Sequence, residues 1–306
     1  MSSNVSTVST GGKNKMGMRV KENIYQAILW IFLLLIAATM VVPFLYILVL
    51  SFTDASAYVA GAFNLWPEKW STAAYSLILK GSGFLNALKS TLIITAIGTP
   101  LSLFLNAGLA YMLSKPIPGK GILNKYVMFT MLFSAGMVPN FMNIKALGLL
   151  DNYFACILPS ACGAWSIMVM RSFFQSLPIE LEEAAKIDGC GQLRIFGTIV
   201  LPLSKAMLAS MTLFAFVGYW NTYFNSIMYM TTTSKSTLQV YVQKVVLASG
   251  ASSSDMIDIQ SVAQTAVPQE VMRMAAVVVV VLPILIIYPF LQKYFQAGMM
   301  VGAVKG

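Results

Sequence analysis

The stretch 177–206, "LPIELEEAAKIDGCGQLRIFGTIVLPLSKA", decides how this chain is read. Charged residues make up 10% of the protein, yet Glu180, Glu182, Glu183 and Asp188 fall within nine positions here. Local chemistry predicts a short helix, a turn and a second helix. Pro178 suits the first turn, where its missing N–H costs nothing. The three glutamates complement the positive end of the helix dipole. Glu182 and Lys186 stand i,i+4 in the order that favours pairing on a helix surface. Asp188-Gly189 supplies the turn, because glycine readily adopts the left-handed conformation that ends a helix. Ala184 and Ala185 leave part of the surface small, so another protein can approach closely. Pattern alone fits either a solvated connector or a docking element, but ordered loops of about 30 residues are more often functional than idle.

Outward from this loop the chain is greasy. Apolar residues reach 58% and the mean hydropathy is +0.74, which suits a chain dissolved in lipid. Six apolar runs, at about 27–51, 89–113, 124–144, 153–173, 204–230 and 272–294, each meet the ~20 residues that a spanning helix needs. Continuous apolar runs satisfy their backbone in lipid as helices, which predicts an all-α integral membrane fold with six transmembrane helices. The opening "MSSNVSTVSTGGKNKMGMRVKE" reads as a polar tail rather than a signal peptide, since the apolar run after it is too long and no cleavage site follows. The expected organisation is a flexible tail at 1–23 and one transmembrane domain at 24–306, with the acidic loop at about 174–203.

The formal charge of +9 is scattered singly between hydrophobic runs. It lacks the aromatic-interleaved basic patches that track nucleic acid. With six crossings, 13 of the 20 Lys and Arg residues fall on the side of the termini and the acidic loop. The positive-inside rule makes that side cytoplasmic. None of the 11 Asp and Glu residues lies in a proposed span, whereas intramembrane carboxylates mark proton relays and ion-coupled sites. Energy for uphill movement is therefore expected to enter from elsewhere. The sequence has no histidine, so His-based metal sites, triads and shuttles are excluded. Cys156 and Cys162, six apart on a predicted helix, and the isolated Cys190 read as small packing residues. No catalytic or metal-binding residue is assigned.

Glu183-Ala184-Ala185, then Asp188-Gly189, Phe196 and Leu201-Pro202 resemble, in order, spacing and position, the EAA loop of ATP-binding-cassette importer permeases. Cys190 stands where the family usually has alanine. The resemblance runs from the first span to the closing "YPFLQKYFQAGMMVGAVKG", on the carbohydrate-uptake branch. It implies a type I importer permease fold, a bacterial cell membrane location and no enzymatic activity in this chain. It also implies that Glu182, Glu183, Ala184, Ala185, Asp188, Gly189, Phe196 and Pro202 form a coupling element for two separate ATPase subunits, which bind ATP and Mg. The chain has no G-x-x-x-x-G-K-[ST] of its own. A second, different permease chain, a periplasmic or extracellular solute-binding protein and a carbohydrate cargo complete the implied partners. Val304, Lys305 and Gly306 resemble a tail that reaches the ATPase interface.

Sugar sites need aromatic faces for C–H surfaces and amides or hydroxyls for ring hydroxyls. Trp220, Asn221, Tyr223 and Asn225 in "GYWNTYFNSIMYM" are the expected substrate path, with Trp220, Tyr223 and Phe224 on one face of span five. The same residue types also collect at membrane interfaces without a ligand. Asn140 and Asn143 are further candidates. In the long segment 231–271, "LQVYVQKVV" predicts an amphipathic helix, and "SGASSSD" reads as flexible. Alternative cargoes are a polyol or glycerol phosphate within the same importer class. An ion-coupled carrier or membrane enzyme is the rival from another class.

Overall fold

The computed structural model describes residues 11–61, 66–247 and 267–303. Among them the only β pairing is an isolated bridge between Thr53 and Trp70. Helix α1 (Gly11–Ser51) starts within the stretch expected to be a flexible tail at 1–23, whose first ten residues lie outside the described residues. Along its span the large apolar side chains, from Ile24 to Leu48, are almost all exposed, as befits a helix whose solvent is lipid.

Three helices are long and apolar enough to cross a bilayer in one piece: Asn23–Ser51 of α1, α3 (Ser82–Ser114), which follows the short α2 (Ala73–Lys80), and Gln269–Pro289 of the last helix. The other three expected spans are each broken. The run 124–144 divides into α4 (Lys120–Leu132) and α5 (Met137–Ala146), bent by 114°. Gly136, at φ +89°, makes this turn. The run 153–173 divides into α6 (Tyr153–Ile157), a 3₁₀ turn (Leu158–Ser160) and α7 (Ala164–Gln175), with a 48° bend between the arms. Cys162 thus lies in the break and is exposed, whereas Cys156 is buried.

The acidic loop supplies α8 (Ile179–Ile187) and α9 (Gln192–Ile195). A π-turn (Phe196–Val200) and α10 (Leu201–Leu203) follow, and an 86° bend leads into α11 (Lys205–Trp220). The expected span 204–230 ends early: α11 stops at Trp220, and α12 (Phe224–Tyr229) follows after a break. After α13 (Leu238–Leu247), the predicted "LQVYVQKVV" helix, comes α14 (Gln269–Ala303). The Ser-rich 248–266 and the tail Val304–Gly306 lie outside the described residues.

Helix α3 is the axis of the molecule. Its buried row Thr91, Thr95, Gly98, Ser102, Asn106 and Ala110 repeats at helical spacing, and these small residues let α11 and α7 pack closely. Gly98 shows how closely: a Cβ there would lie 2.7 Å from Cε1 of Tyr219. One apolar cluster joins α2, α3, α13 and α14 around Trp220. A second joins α3, α7 and α11 to the loop residues Ala185, Ile195 and Phe196, so the loop is built onto the bundle.

Candidate functional site

The loop 177–206 forms a wedge with one face toward the bundle and one outward. Helix α8 ends at Asp188, and Gly189 turns the chain at φ +79°, as expected of glycine there. The Cys190 amide closes the turn on the Ala185 carbonyl at 2.9 Å. Of the EAA-type residues, Glu183 and Ala184 are exposed, while Ala185 is buried against the bundle. Glu182 corrects the expectation of a surface pair with Lys186. It is buried, and both its carboxylate oxygens accept hydrogen bonds from Lys115, just beyond α3. The Lys115 ammonium also lies 4.6 Å from the centre of the Tyr111 ring.

Tyr111 extends this connection to the second arm. Its hydroxyl donates to Oε1 of Gln192 at 3.1 Å, and its ring stacks on Phe196 with centroids 4.8 Å apart. The end of α3 is therefore tied to α8 through Glu182, to α9 through Gln192 and to the π-turn through Phe196. Arg171 of α7 donates to the Leu113 carbonyl at 3.1 Å, covering an acceptor that the end of α3 leaves open. Pro202 sits in α10 just before the bend at Ser204. On the outward side, Ile187 and Leu193 are each 87% exposed, beside Glu180 and Glu183. Sequence reasoning passed over these two residues, although isoleucine and leucine flanking a charged turn were the available signal. The face combines carboxylates with apolar side chains that have no cover among the described residues.

At the opposite end, the four expected path residues do not share a helix face. Trp220 is buried, donates its indole N–H to the Val280 carbonyl at 3.2 Å and stacks on Phe216. The helix ends at Trp220, so Tyr223 and Phe224 lie beyond it rather than on its face. Asn221 accepts from Nε2 of Gln239 at 2.8 Å, and Asn225 is half-buried in α12. None of Trp220, Asn221, Tyr223 and Asn225 lines the cavity between α3, α7 and α11. That cavity, of about 250 Å³, includes Ser102, Asn106, Ser160, Trp165, Ser166, Phe214 and Tyr219 in its wall. Asn140 and Asn143 border another hollow of about 250 Å³, beside Leu158 and Tyr229.

Asn106 organises the cavity floor. Its Nδ2 donates to the Ala161 carbonyl at 2.9 Å, and its Oδ1 accepts from the Gly163 amide at 2.9 Å. One amide thus satisfies both sides of the α6–α7 break, where non-helical backbone would otherwise be stranded at membrane depth. Beyond the membrane-depth helices, Asp151 ties two turns together. Its carboxylate accepts from Thr231 N, Thr232 N, Thr232 Oγ1 and Lys235 Nζ at 2.7–3.2 Å.

A bundle of long and broken apolar helices carrying an outward acidic–apolar wedge defines a membrane transport subunit. The chain matches the family described as "Binding-protein-dependent transport system inner membrane component" over residues 13–301, and it belongs to that family. It is 40% identical, over 94% of its own length and 100% of the relative's, to the polygalacturonan/rhamnogalacturonan transport system permease protein YtcP of Bacillus subtilis. It is 38% identical to the protein LplC of the same organism, over 89% of this chain and 91% of that one. A solved bacterial ABC transporter involved in the import of the acidic polysaccharide alginate contains a chain of the same fold. The two superpose with a TM-score of 0.83 at 31% identity, covering 95% of this chain and 100% of that one. The protein is accordingly a permease subunit of an ABC transport system and a membrane protein.

Proposed function

We propose that this subunit forms half of the translocation pathway for an oligosaccharide in a binding-protein-dependent importer. In this reading it pairs with a second, different permease chain. It receives cargo from a solute-binding protein outside the cell, with both termini and the acidic loop in the cytoplasm. The end-to-end match to a polygalacturonan/rhamnogalacturonan permease carries the carbohydrate assignment. The uncharged side chains of the α3–α7–α11 cavity support it: hydroxyls, an amide and aromatic rings suit a sugar, whereas a phosphate cargo calls for cationic side chains.

The loop 177–206 acts as the coupling element in this reading. Two ATPase subunits, which hold ATP and Mg, seat the outward face formed by Glu183, Ala184, Ile187 and Leu193. Their closure moves the wedge, and α3 follows because Lys115 and Tyr111 tie it there. The motion is rigid-body alternation driven by a docked partner. Glu182 serves within the chain rather than at the interface. The tail Val304–Gly306 is proposed to reach the same ATPase dimer, and Tyr223 with Asn225 to border the cargo route near its outer end.

The test is to purify the tagged chain from its native host, identify the subunits that accompany it and assay the reconstituted complex. Uptake of a saccharide dependent on a binding protein and on ATP is the expected result. Purification without an ATPase chain, or uptake confined to non-carbohydrate solutes, would refute the proposal.

A further inference from the structure

The cavity between α3, α7 and α11 has a division of labour along its depth. Its floor holds the buried Ser102, Asn106 and Tyr219, and its mouth holds Trp165 and Phe214, 48% and 54% exposed. All three floor groups are already committed: the Ser102 hydroxyl accepts from Nδ2 of Asn106 at 3.0 Å. Asn106 is held by the α6–α7 break, and the Tyr219 hydroxyl donates to the Ile157 carbonyl at 3.1 Å. The hydroxyls of Ser160 and Ser166, by contrast, make no hydrogen bond among the described residues, and both face the same hollow. They flank the break at Ala161–Gly163, the one interruption of this arm of the bundle.

Ser102 lies 12 residues before the end of α3 at Ser114, about 18 Å along a helix axis. The hollow therefore opens within the bilayer's thickness and not on a loop. Ser160 is exposed and Ser166 half-buried, so both hydroxyls are open to water or a polar ligand in the hollow. Trp165 and Phe214 meet edge to face, with centroids 5.5 Å apart, so the indole is held in place at the mouth. Gly218 leaves the opposite rim bare: a Cβ there would meet nothing within 4 Å. No lining side chain carries charge.

We infer that this chain itself holds one sugar ring of the cargo in this cavity. Trp165 covers the ring's C–H face, and Ser160 and Ser166 bond its hydroxyls. The volume of about 250 Å³ lies below the roughly 300–1,000 Å³ of drug-sized sites, which fits a single ring and not a longer segment. Recognition runs through shape and hydroxyls; with no cation in the wall, an acidic ring fits with its carboxylate pointing out of the mouth into water. The site is separate from Trp220, which the core occupies. This inference rests on the carbohydrate reading above.

The experiment uses the complete complex in proteoliposomes with its binding protein and ATPase chains. Uptake of a galacturonate trisaccharide and of a neutral glucose trisaccharide is measured. Wild type is compared with Trp165→Phe, Trp165→Ala, the pair Ser160→Ala/Ser166→Ala, and Gly218→Phe, which fills the mouth from an open position. Trp165→Phe should keep most of the uptake. The other three variants should lose about tenfold or more, the scale of removing one well-packed anchor, with assembly and basal ATP hydrolysis unchanged. If wild type takes up one trisaccharide and all variants match it, the cavity is not a sugar site although the carbohydrate reading stands. If wild type takes up neither while fully assembled, the carbohydrate reading itself fails. Loss of the second permease chain from Trp165→Ala or Gly218→Phe would overturn the inference by assigning this face to a chain–chain interface.

Discussion

The Lys115 ammonium binds both carboxylate oxygens of Glu182, joining the end of α3 to the acidic wedge. Glu182 keeps 7% of its side chain exposed and Lys115 keeps 22%. Removing the lysine strands a nearly buried carboxylate, at a cost below the ~3–5 kcal/mol of a fully buried pair because the lysine is partly hydrated. Lys115→Ala should lower the thermal stability of the purified complex and the transport achieved per ATP. The exchanged pair Lys115→Glu with Glu182→Lys should recover part of both. Equal effects of the single and exchanged variants would show that the contact transmits nothing.

Gly189 tests the wedge from its turn. At φ +79° with open space around its Cβ position, Gly189→Val carries a conformational cost alone, about 1–3 kcal/mol. We expect weakened ATPase binding with the bundle intact. Glu183→Ala should be milder, removing one exposed carboxylate from the proposed interface. Co-purification of the ATPase and uptake are the measurements. Normal values in both variants would reduce the loop to a connector.

Asn106 should be the least replaceable polar residue in α3. Asn106→Leu leaves the Ala161 carbonyl and the Gly163 amide without their partner, at about 1–3 kcal/mol for each buried group. Asn106→Asp keeps the acceptor for Gly163, but its neutral carboxyl offers one O–H where the amide offers two N–H to the Ala161 carbonyl and Ser102. Thermal unfolding in detergent should therefore rank wild type above Asp and Asp above Leu, provided the assay is run where the aspartic acid is neutral. A variant as stable as wild type would mean that water satisfies the break.

Tyr219 and Gly98 fit as ring and notch. Gly98→Ala places a methyl within 2.7–2.8 Å of three ring atoms, so the tyrosine must move and its bond to Ile157 must loosen. Overpacking of this kind costs typically about 1–3 kcal/mol. Adding Tyr219→Leu to Gly98→Ala should cost less than the two single effects combined, since the clash is then gone. Strict additivity of the melting shifts would contradict the contact.

Asp151 offers a pH test at the end of the bundle opposite the wedge. The hydrogen bond from Lys235 and those from Thr232 hold its carboxyl below the usual aspartate range. A group with a depressed folded pKa stabilises above its unfolded value, near 3.8, and loses that stabilisation as pH falls toward the folded one. The clamp should thus be unchanged from pH 7 to about 5 and weaken only under stronger acid. Protease sensitivity of the 231–235 turn, followed against pH, reads this directly. Asp151→Asn, which tolerates the φ of +57°, should keep the turn better than Asp151→Ala. Loosening of wild type already near pH 6 would refute the assignment.

Composition and local pattern settled much of this molecule. A lipid-dissolved, all-helical chain follows from 58% apolar residues, because only internally bonded backbone survives in hydrocarbon. The helix 179–187 and the turn at Gly189 were legible because dipole complementarity and positive φ are local properties. The α13 helix at 238–247 was legible for the same reason.

What only the tertiary structure decided is which partner each side chain meets. Helical spacing paired Glu182 with Lys186, but burying the inner face of α8 against α3 gives it Lys115, 67 positions away. Hydropathy joined 204–230 into one span, since an apolar scale carries no backbone direction; the helix ends at Trp220, and that ring belongs to the core. The breaks in the other spans are equally silent in sequence. The α6–α7 break is held by a single distant group, the Asn106 amide, whose partners lie 55 and 57 residues away. Contacts of such long sequence separation exist only once the chain has packed, and here they are what shape the cavity.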